Sequence, residues 1–193
     1  MLENKDEFSG EFFDKLNLTK HTLRDKEFYN CTFKNCNFTE ADLSRCKFVD
    51  SKFIECNFSN IKLTAWRLQN IKFEGCKLLG IDFSSTDKIL LSVQFNKCLI
   101  DTCKFFGLGL IKTKFLECTF KETDFQDMNL MLADFSKSIF KDSNFNNTNL
   151  SGANFVGASG FNINPLYNNL AKTKFSHIEA LSLLKTFGII LED

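Results

Sequence analysis

The stretch CTFKNCNFTEADLSRCKFVDSKFIECNF, from Cys31 to Phe58, places a Phe or Leu at every fifth residue. These central positions are residues 33, 38, 43, 48, 53 and 58. An α-helix repeats its buried face every 3.6 residues and a flat strand every 2, so a spacing of five fits neither element. The stretch therefore indicates a repeat architecture rather than a conventional helix or strand.

The same spacing extends in both directions from this stretch. Phe or Leu occupies every fifth residue from Phe8 to Phe83, which makes sixteen centres in succession. The frame then slips by two residues and resumes from Phe95 to Phe155, with Ile100 as one of its centres. The interruption, SSTDKILLSVQ (84–94), is either a protruding loop or a bulged pair of repeats.

The second residue before each centre is usually small. All eight Cys of the chain occupy this position, together with several Ala, Ser and Thr residues. A coil of short extended pieces, with a tight corner every five residues, explains the pattern. One large and one small side chain per piece then fill a narrow interior, and the other three residues face solvent.

These repeats resemble the pentapeptide-repeat family, whose motif is a small residue, Asp or Asn, a central Leu or Phe, and two variable residues. The segments ADLSR (41–45), TDFQD (123–127) and TNLSG (148–152) match it well. The resemblance implies an all-β solenoid, a right-handed quadrilateral β-helix in which four repeats make one turn. Residues 20 apart should then stack, with Cys36, Cys56 and Cys76 in one ladder and Cys98 beside Cys118.

The two ends of the chain depart from the motif. Residues 1–27 carry large residues at the small position and are interpreted as a degenerate capping coil, followed by a solenoid over 28–157. The tail, 158–193, should hold a short α-helix at about 176–187, since Ser176 and Glu179 form a capping-box pattern and Gly188 follows. The resemblance to the quinolone-resistance branch implies that this tail pairs two rods into a homodimer, through the apolar stripe Ile178, Leu181, Leu184 and Phe187.

Composition argues against several classes of function. Lys plus Arg equals Asp plus Glu at 24 each, so no overall field favours nucleic acid or an anionic membrane. The N-terminal residues do not read as a signal peptide and no apolar run is long enough to cross a membrane, so a cytoplasmic protein is expected. Its eight Cys should then be thiols.

Nothing in the sequence indicates an enzyme or a cofactor. His21 and His177 lie far apart, and no phosphate-binding or dinucleotide-binding motif is present. Cys31 with Cys36 and Cys98 with Cys103 have the C-x4-C spacing of some metal sites, but five is the repeat spacing itself. We interpret the cysteines as core filler, with metal or redox chemistry as the alternative and no metal site expected.

Four features are candidates for partner binding. Trp66 stands at a small-residue position and is interpreted as a core defect whose ring turns outward, or as an exposed anchor. Basic residues crowd one part of the rod (Arg45, Lys47, Lys52, Lys62, Arg67, Lys72 and Lys77), and acidic residues crowd another. The loop candidates are Asp87, Lys88, Ile89, Leu90 and Leu91, and the acidic-face candidates are Glu122, Asp124 and Asp127.

Two hypotheses about function follow. The resemblance implies a protein that binds a type II topoisomerase, DNA gyrase or topoisomerase IV, because the quinolone-resistance members imitate the size and charge of duplex DNA. The zero net charge instead favours a general interaction or scaffold solenoid with another protein partner and no DNA mimicry. Both hypotheses expect protein–protein contact, with no direct binding of nucleic acid.

Overall fold

The backbone coils so that residues about 20 apart lie side by side. In the computed structural model, which describes Leu2 and residues 5–189, Phe8 pairs with Phe28 and Phe28 with Phe48 in parallel register. Residues Phe13, Phe33 and Phe53 pair in the same way one repeat later. A piece of backbone therefore bonds to the pieces one turn above and below it. Within the described residues, no strand pairs with the piece of backbone five residues before or after it.

The strands are short, and each is centred on or next to an inward-facing residue. In chain order they are β1 (Glu7–Ser9), β2 (Phe12–Asp14), β3 (Glu27–Tyr29), β4 (Thr32–Lys34), β5 (Lys47–Val49), β6 (Lys52–Ile54), β7 (Asn57–Ser59), β8 (Arg67–Gln69), β9 (Ile71–Glu74), β10 (Lys77–Leu79), β11 (Val93–Asn96), β12 (Leu99–Asp101), β13 (Phe115–Leu116), β14 (Thr119–Lys121), β15 (Ile139–Lys141), β16 (Asn144–Phe145), β17 (Asn154–Phe155), β18 (Asn162–Ile163) and β19 (Lys174–Phe175).

Stacking of these strands gives the rod four sides. Side 1 contains β1, β3, β5 and β8, side 2 contains β2, β4, β6, β9, β11 and β13, and side 3 contains β7, β10, β12, β14 and β15. Side 4 is held mostly by single bridges, such as Thr22 with Asp42 and Lys104 with Asp124. The chain visits sides 1, 2, 3 and 4 in turn, which is the predicted four repeats per turn.

The corners between sides lie at the second residue after each centre. This residue has a positive φ in repeat after repeat, for example 50° at Asn30, 54° at Asn35 and 52° at Asn70. Asn and Asp tolerate this left-handed conformation better than most residues do. The rod therefore turns every five residues without the Gly/Pro clusters of ordinary β-turns.

An unbroken column of stacked phenylalanine rings runs through the core behind side 2. Its neighbouring ring centroids are 4.7 to 5.3 Å apart, close to the spacing of adjacent strands. The column consists of Phe13, Phe33, Phe53, Phe73, Phe95, Phe115, Phe135, Phe155 and Phe175. It continues across the interruption after Phe83, because Phe95 pairs with Phe73.

Trp66 is buried, which contradicts the expectation that its ring turns outward. Its exposed fraction is 0%, and its ring lies near those of Phe48, Phe58 and Phe73. Leu63, the neighbouring centre on side 4, is only half-buried. The indole thus fills core volume at a point where a centre has moved outward, and Trp66 is not an exposed anchor.

The first coil is closed by a lysine and by the N-terminal residues. Lys26 is buried at a small-residue position, and its Nζ donates to the backbone oxygen of Lys5 (2.8 Å) and to Oδ1 of Asp6 (3.2 Å). Leu2 is buried in the same core. The polar side chains of Asp6, Glu11 and His21 at the same position are exposed, whereas Leu16 is half-buried and packs against the core.

At the other end, the rod continues beyond the last regular repeat. β17 pairs with β19, so that Phe155 stacks with Phe175. The buried ring of Phe161 lies near both of these rings, and the buried Ile163 pairs with Phe145. A helical segment follows: α1 (His177–Ala180) and a 3-10 helix (Leu181–Phe187), ended by Gly188 at a φ of 70°. The predicted capping box is wrong, because the Ser176 side chain makes no cap bond and its Oγ instead accepts from the Gly157 N–H (2.8 Å).

We predict that Trp66→Ala lowers the free energy of unfolding by about 3–5 kcal/mol, because it leaves a cavity among the rings around it. Phe12→Ala is the matched control, since Phe12 lies on the outer surface of side 2 with 64% of its area exposed. Its expected cost is below about 0.5 kcal/mol. Urea unfolding followed by circular dichroism measures both, and equal losses would contradict the buried position of Trp66.

Candidate partner-binding surfaces

The interruption of the repeat is a bulge of two extra residues on side 1. The Asp87 N–H still donates to the Trp66 backbone oxygen, and the Ser92 N–H donates to that of Leu68 (both 2.9 Å). After the bulge, Val93 pairs with Ile71, which is 22 residues earlier instead of 20. The extra residues therefore lie between 87 and 92. Immediately after them in the chain, regular strand pairing resumes on side 2.

The five loop candidates do not all face solvent. Ile89 and Leu90 form the exposed tip, with 77% and 68% of their areas accessible. Lys88 folds back along the rod and donates to the Gly107 backbone oxygen (3.2 Å). Leu91 is only half-exposed and packs against the core, which corrects its placement in the apolar tip.

Asp87 fixes the start of the bulge. Its Oδ2 accepts from Nε of Arg67 at 2.8 Å, and its Oδ1 accepts from the Ile89 N–H at 2.9 Å. The bond from the Ile89 N–H is the main reason that the pKa of Asp87 lies below its ordinary value, and the Arg67 guanidinium adds to it. The carboxylate thus ties the tip to the strand below, so the bulge has a defined shape.

A groove of about 320 Å³ lies beneath the tip on side 1. Its apolar wall comes from Ile89, Leu90 and Val49, and its cations are Lys47 and Arg67. Lys47 Nζ donates to the hydroxyl of Tyr29 (2.7 Å) and to Glu27 (3.3 Å), so its charge is locally compensated. The groove combines an aliphatic wall with neutralised charge, which suits a partner of mixed polarity.

The three acidic-face candidates share side 4 of a single coil. Glu122 stands exposed at the corner with side 3, whereas Asp124 and Asp127 are half-buried. Asp127 accepts from Nδ2 of Asn147 (2.5 Å) and from Nε2 of Gln126 (3.2 Å), and Oδ1 of Asp124 is buried without a hydrogen-bond partner. The structure brings these carboxylates together, but Lys104 is the backbone β-bridge partner of Asp124, so a lysine lies next to Asp124 on the adjacent coil of the same side.

The basic residues do not form one surface. Lys47 and Arg67 lie on side 1, Lys52 and Lys72 on side 2, and Lys77 on side 3. These residues lie on neighbouring coils of the rod, but their sides of the rod face in different directions. The predicted basic crowding is therefore no continuous patch.

The stripe predicted for dimerisation is largely exposed. Ile178, Leu181 and Phe187 have 78%, 45% and 52% of their areas accessible, and Leu184 is half-buried. The neighbouring Leu183 packs against the core of its own rod instead. The helical segment thus caps the rod with one face and leaves an apolar face without a partner.

The cysteines line the core as free thiols. All eight are buried, and five of them, Cys36, Cys56, Cys76, Cys98 and Cys118, form a single column behind side 3. A typical thiol, Cys56, donates to the backbone oxygens of Phe33 and Ile54 (both 3.4 Å). Burial is the main reason that the pKa values of Cys46 and Cys103 rise to about 12.

Within the described residues, no three His, Cys, Asp or Glu side chains form a group that could hold a metal ion. His21 is exposed on an early coil and His177 begins the C-terminal helical segment, so the structure does not bring the two histidines together. The part of the chain that is described also contains no helix long and apolar enough to cross a bilayer.

Sequence analysis missed a polar cleft on side 4 beside Leu63. The cleft is lined by residues from four successive coils, including Arg24, Asp42, Lys62 and Asp82. The one indication of this cleft in the sequence is Trp66, a large residue at a position that is usually small. Predicting the cleft from it requires knowing that the Trp66 ring points into the core.

The comparisons with known proteins agree with this architecture. The family model described as "Pentapeptide repeat region" matches residues 9–87 and 88–155. The chain belongs to the pentapeptide-repeat family. Its two matched segments meet within the bulge.

Solved structures of this family include similar rods. A trypsin-treated form of QnrB1, a plasmid-mediated fluoroquinolone resistance protein, aligns with a TM-score of 0.57 at 17% identity, over 96% of this chain and 100% of that one. Full-length QnrB1 aligns with a TM-score of 0.55 at 18% identity, over 95% and 100%. The predicted right-handed quadrilateral β-helix is thereby confirmed.

A pentapeptide-repeat protein from the cyanobacterium Nostoc, HetL, involved in heterocyst differentiation regulation, aligns with a TM-score of 0.46 at 13% identity, over 88% of this chain and 86% of that one. A search of curated protein sequences gives no significant match.

We predict that none of the eight thiols reacts with Ellman's reagent in the folded protein at pH 8. All eight thiols are buried, so the reagent cannot reach the sulfur atoms in the folded chain. Burial also raises the pKa of Cys46 and of Cys103 to about 12, so these two thiols carry no reactive thiolate at this pH. Reaction should follow in full once guanidinium chloride unfolds the chain. Rapid reaction of several thiols under native conditions would contradict the buried column.

Proposed function

We propose that the protein is a non-enzymatic, cytoplasmic interaction module that binds a type II topoisomerase and modulates susceptibility to quinolones. The observation that carries the proposal is the bulge between residues 87 and 92 on side 1 of the rod. It presents Ile89 and Leu90 to solvent above the groove on side 1. The fold shared with QnrB1, described as a fluoroquinolone resistance protein, suggests the class of partner.

The bulge has the properties of a binding element. Large aliphatic side chains held mostly in water are unfavourable for the isolated protein, and burying both against a partner would contribute about 3–6 kcal/mol. The bond between Asp87 and the Ile89 N–H restricts the tip before binding. A pre-formed element loses less conformational entropy when it docks.

We propose that the acidic face contributes less to partner binding than the bulge does. Glu122, Asp124 and Asp127 place negative charge on side 4, but Lys104 lies beside them and the whole chain has zero net charge. A continuous copy of a phosphate backbone would need a strongly negative rod. We therefore propose that the bulge makes the main contact and that the carboxylates tune it.

A second candidate function is a scaffold solenoid that binds a different protein. The observation that favours it is the even mixture of charge around the rod, since basic residues occupy sides 1, 2 and 3 of the same coils. This surface has no strong field for steering a charged target. The two candidates differ in whether DNA gyrase responds to the protein.

We predict that the purified protein inhibits DNA gyrase supercoiling or relieves its inhibition by a fluoroquinolone at micromolar concentration. The double variant Ile89→Asp, Leu90→Asp should weaken the effect at least about tenfold, because it removes apolar contact and adds charge at the tip. Ile139→Asp is the control, since Ile139 is exposed to a similar degree (52%) on side 3. No effect of the wild type would favour the scaffold.

The acidic face has its own test. Changing Glu122, Asp124 and Asp127 together to Lys should reduce the gyrase effect by less than the change at the tip does. Circular dichroism checks that the half-buried positions tolerate the change. If charge reversal abolishes the effect and the tip variant does not, the main contact is the acidic face and our assignment of the bulge is wrong.

We also propose that the protein is a homodimer through Ile178, Leu181, Leu184 and Phe187. Sedimentation velocity should show a dimer for the wild type and a monomer for Leu181→Asp, because the charge would be buried in the interface. Leu132→Asp is the control, since Leu132 is comparably exposed (47%) on the rod itself. A monomeric wild type would refute dimerisation and leave the segment as a cap.

A further inference from the structure

The ladder of side 4 is interrupted between two coils. Lys62 forms a bridge with Asp42 below it, and Asp82 forms one with Lys104 above it, but Lys62 and Asp82 do not pair. Elsewhere on this side the centre donates its N–H upward, as Leu43 does to Lys62 and Phe83 does to Lys104 (both 2.8 Å). The corresponding bond from Leu63 to Asp82 is missing in this described part of the chain.

The interruption follows from the position of Trp66. Its indole occupies the core next to Phe58 and Phe83, and Leu63 lies half-exposed instead of fully buried. Backbone that moves outward with Leu63 no longer meets the coil above at bonding distance. One bond remains at the corner, where the Ala65 N–H donates to the Ser85 oxygen (3.0 Å).

Two backbone donors are left without a partner in the gap. In the pattern of the neighbouring coils, the Leu63 N–H points up and the Asp82 N–H points down, toward each other. Neither donates a hydrogen bond in the described residues, and the Ile61 backbone oxygen accepts none. Unpaired backbone donors of this kind require water or a ligand.

The gap opens to solvent as a cleft of about 450 Å³. Some of the charged side chains that line it have a partner of opposite charge or a hydrogen bond, and others do not. Arg24 binds Asp42 through Nε and Nη2, at 2.7 and 2.6 Å from Oδ2. Oδ1 of Asp82 accepts from the N–H and the hydroxyl of Ser84, at 2.9 and 2.5 Å. Lys62 has no ion pair within the described chain.

Four donors converge at the centre of this cleft: the ammonium of Lys62, the hydroxyl of Thr64 and the N–H groups of Leu63 and Asp82. The backbone oxygens of Ile61 and Leu63 accept no hydrogen bond in the described residues. A tetrahedral oxyanion offers several acceptors in a compact group, and bonds to a charged partner are stronger than those to water. The Asp82 carboxylate, held on Ser84, restricts the anion to the Lys62 side of the cleft.

We propose that this cleft binds a small phosphate-type oxyanion, either free or as the phosphoryl group of a larger ligand. The anion accepts from the Leu63 and Asp82 N–H groups and pairs with the ammonium of Lys62. It thereby bridges the two coils where the ladder is interrupted. The cleft is on side 4 and the bulge is on side 1, so this proposal does not rest on the proposed topoisomerase binding.

Amide NMR tests the proposal directly. Titration of the full chain with inorganic phosphate should shift the Leu63 and Asp82 amide resonances saturably, while the paired Leu43 amide serves as an internal reference. Lys62→Met should weaken binding at least about tenfold, because it removes a charged hydrogen-bond donor. Lys77→Met is the matched control, an exposed lysine that lies in an intact ladder on side 3.

A second titration with glycerol 2-phosphate distinguishes the two sources. If the monoester binds as well as free phosphate, the cleft accepts a phosphoryl group on a larger molecule, and if only free phosphate binds, it holds the ion. The proposal is overturned if neither ligand moves these two amides. Binding that survives Lys62→Met unchanged would also overturn it.

Discussion

The column of phenylalanine rings behind side 2 is the feature on which the rest of the rod depends. Each ring lies 4.7 to 5.3 Å from the next, and this distance is the spacing that parallel strands impose. Ring stacking and backbone pairing are therefore satisfied by the same geometry. A single repeat buries too little apolar area to offset the entropy of ordering five residues, so stability comes from stacking one turn on another.

The same constraint explains where the chain can depart from its period. Two extra residues are accommodated between 87 and 92 because they project from side 1 and leave the pairing of Phe73 with Phe95 intact. Trp66 fits in the core because Leu63 is only half-buried and leaves room for the indole ring. Each departure leaves a feature on the surface: an exposed aliphatic tip in one case and a polar cleft in the other. The proposed main contact of the rod and the proposed anion site thus both lie where the repeat is irregular.

Much of this architecture could be predicted from the sequence. The centres and the small positions follow from the period of five, and the family resemblance implies four repeats per turn. Together they predict the ladder of Cys36, Cys56 and Cys76 and the pair of Cys98 and Cys118, but the continuous column depends on how the bulge closes between Cys76 and Cys98. The positions of Trp66, Leu91 and Ser176 could not be predicted in this way. Whether Trp66 points inward depends on the volume left by Leu63, and whether Leu91 faces solvent depends on how the bulge closes. Ser176 bonds to Gly157 of the preceding coil, a contact that a local capping pattern does not contain.

A pair of single-residue insertions tests the central claim that stacking register holds the rod together. An alanine inserted after Phe115 displaces every later centre relative to the coils below, whereas one inserted between Ile89 and Leu90 only lengthens the bulge. Urea unfolding should show a loss below about 1 kcal/mol for the insertion in the bulge and a loss several times larger for the insertion in the ladder. Equal losses at the two sites would contradict the account.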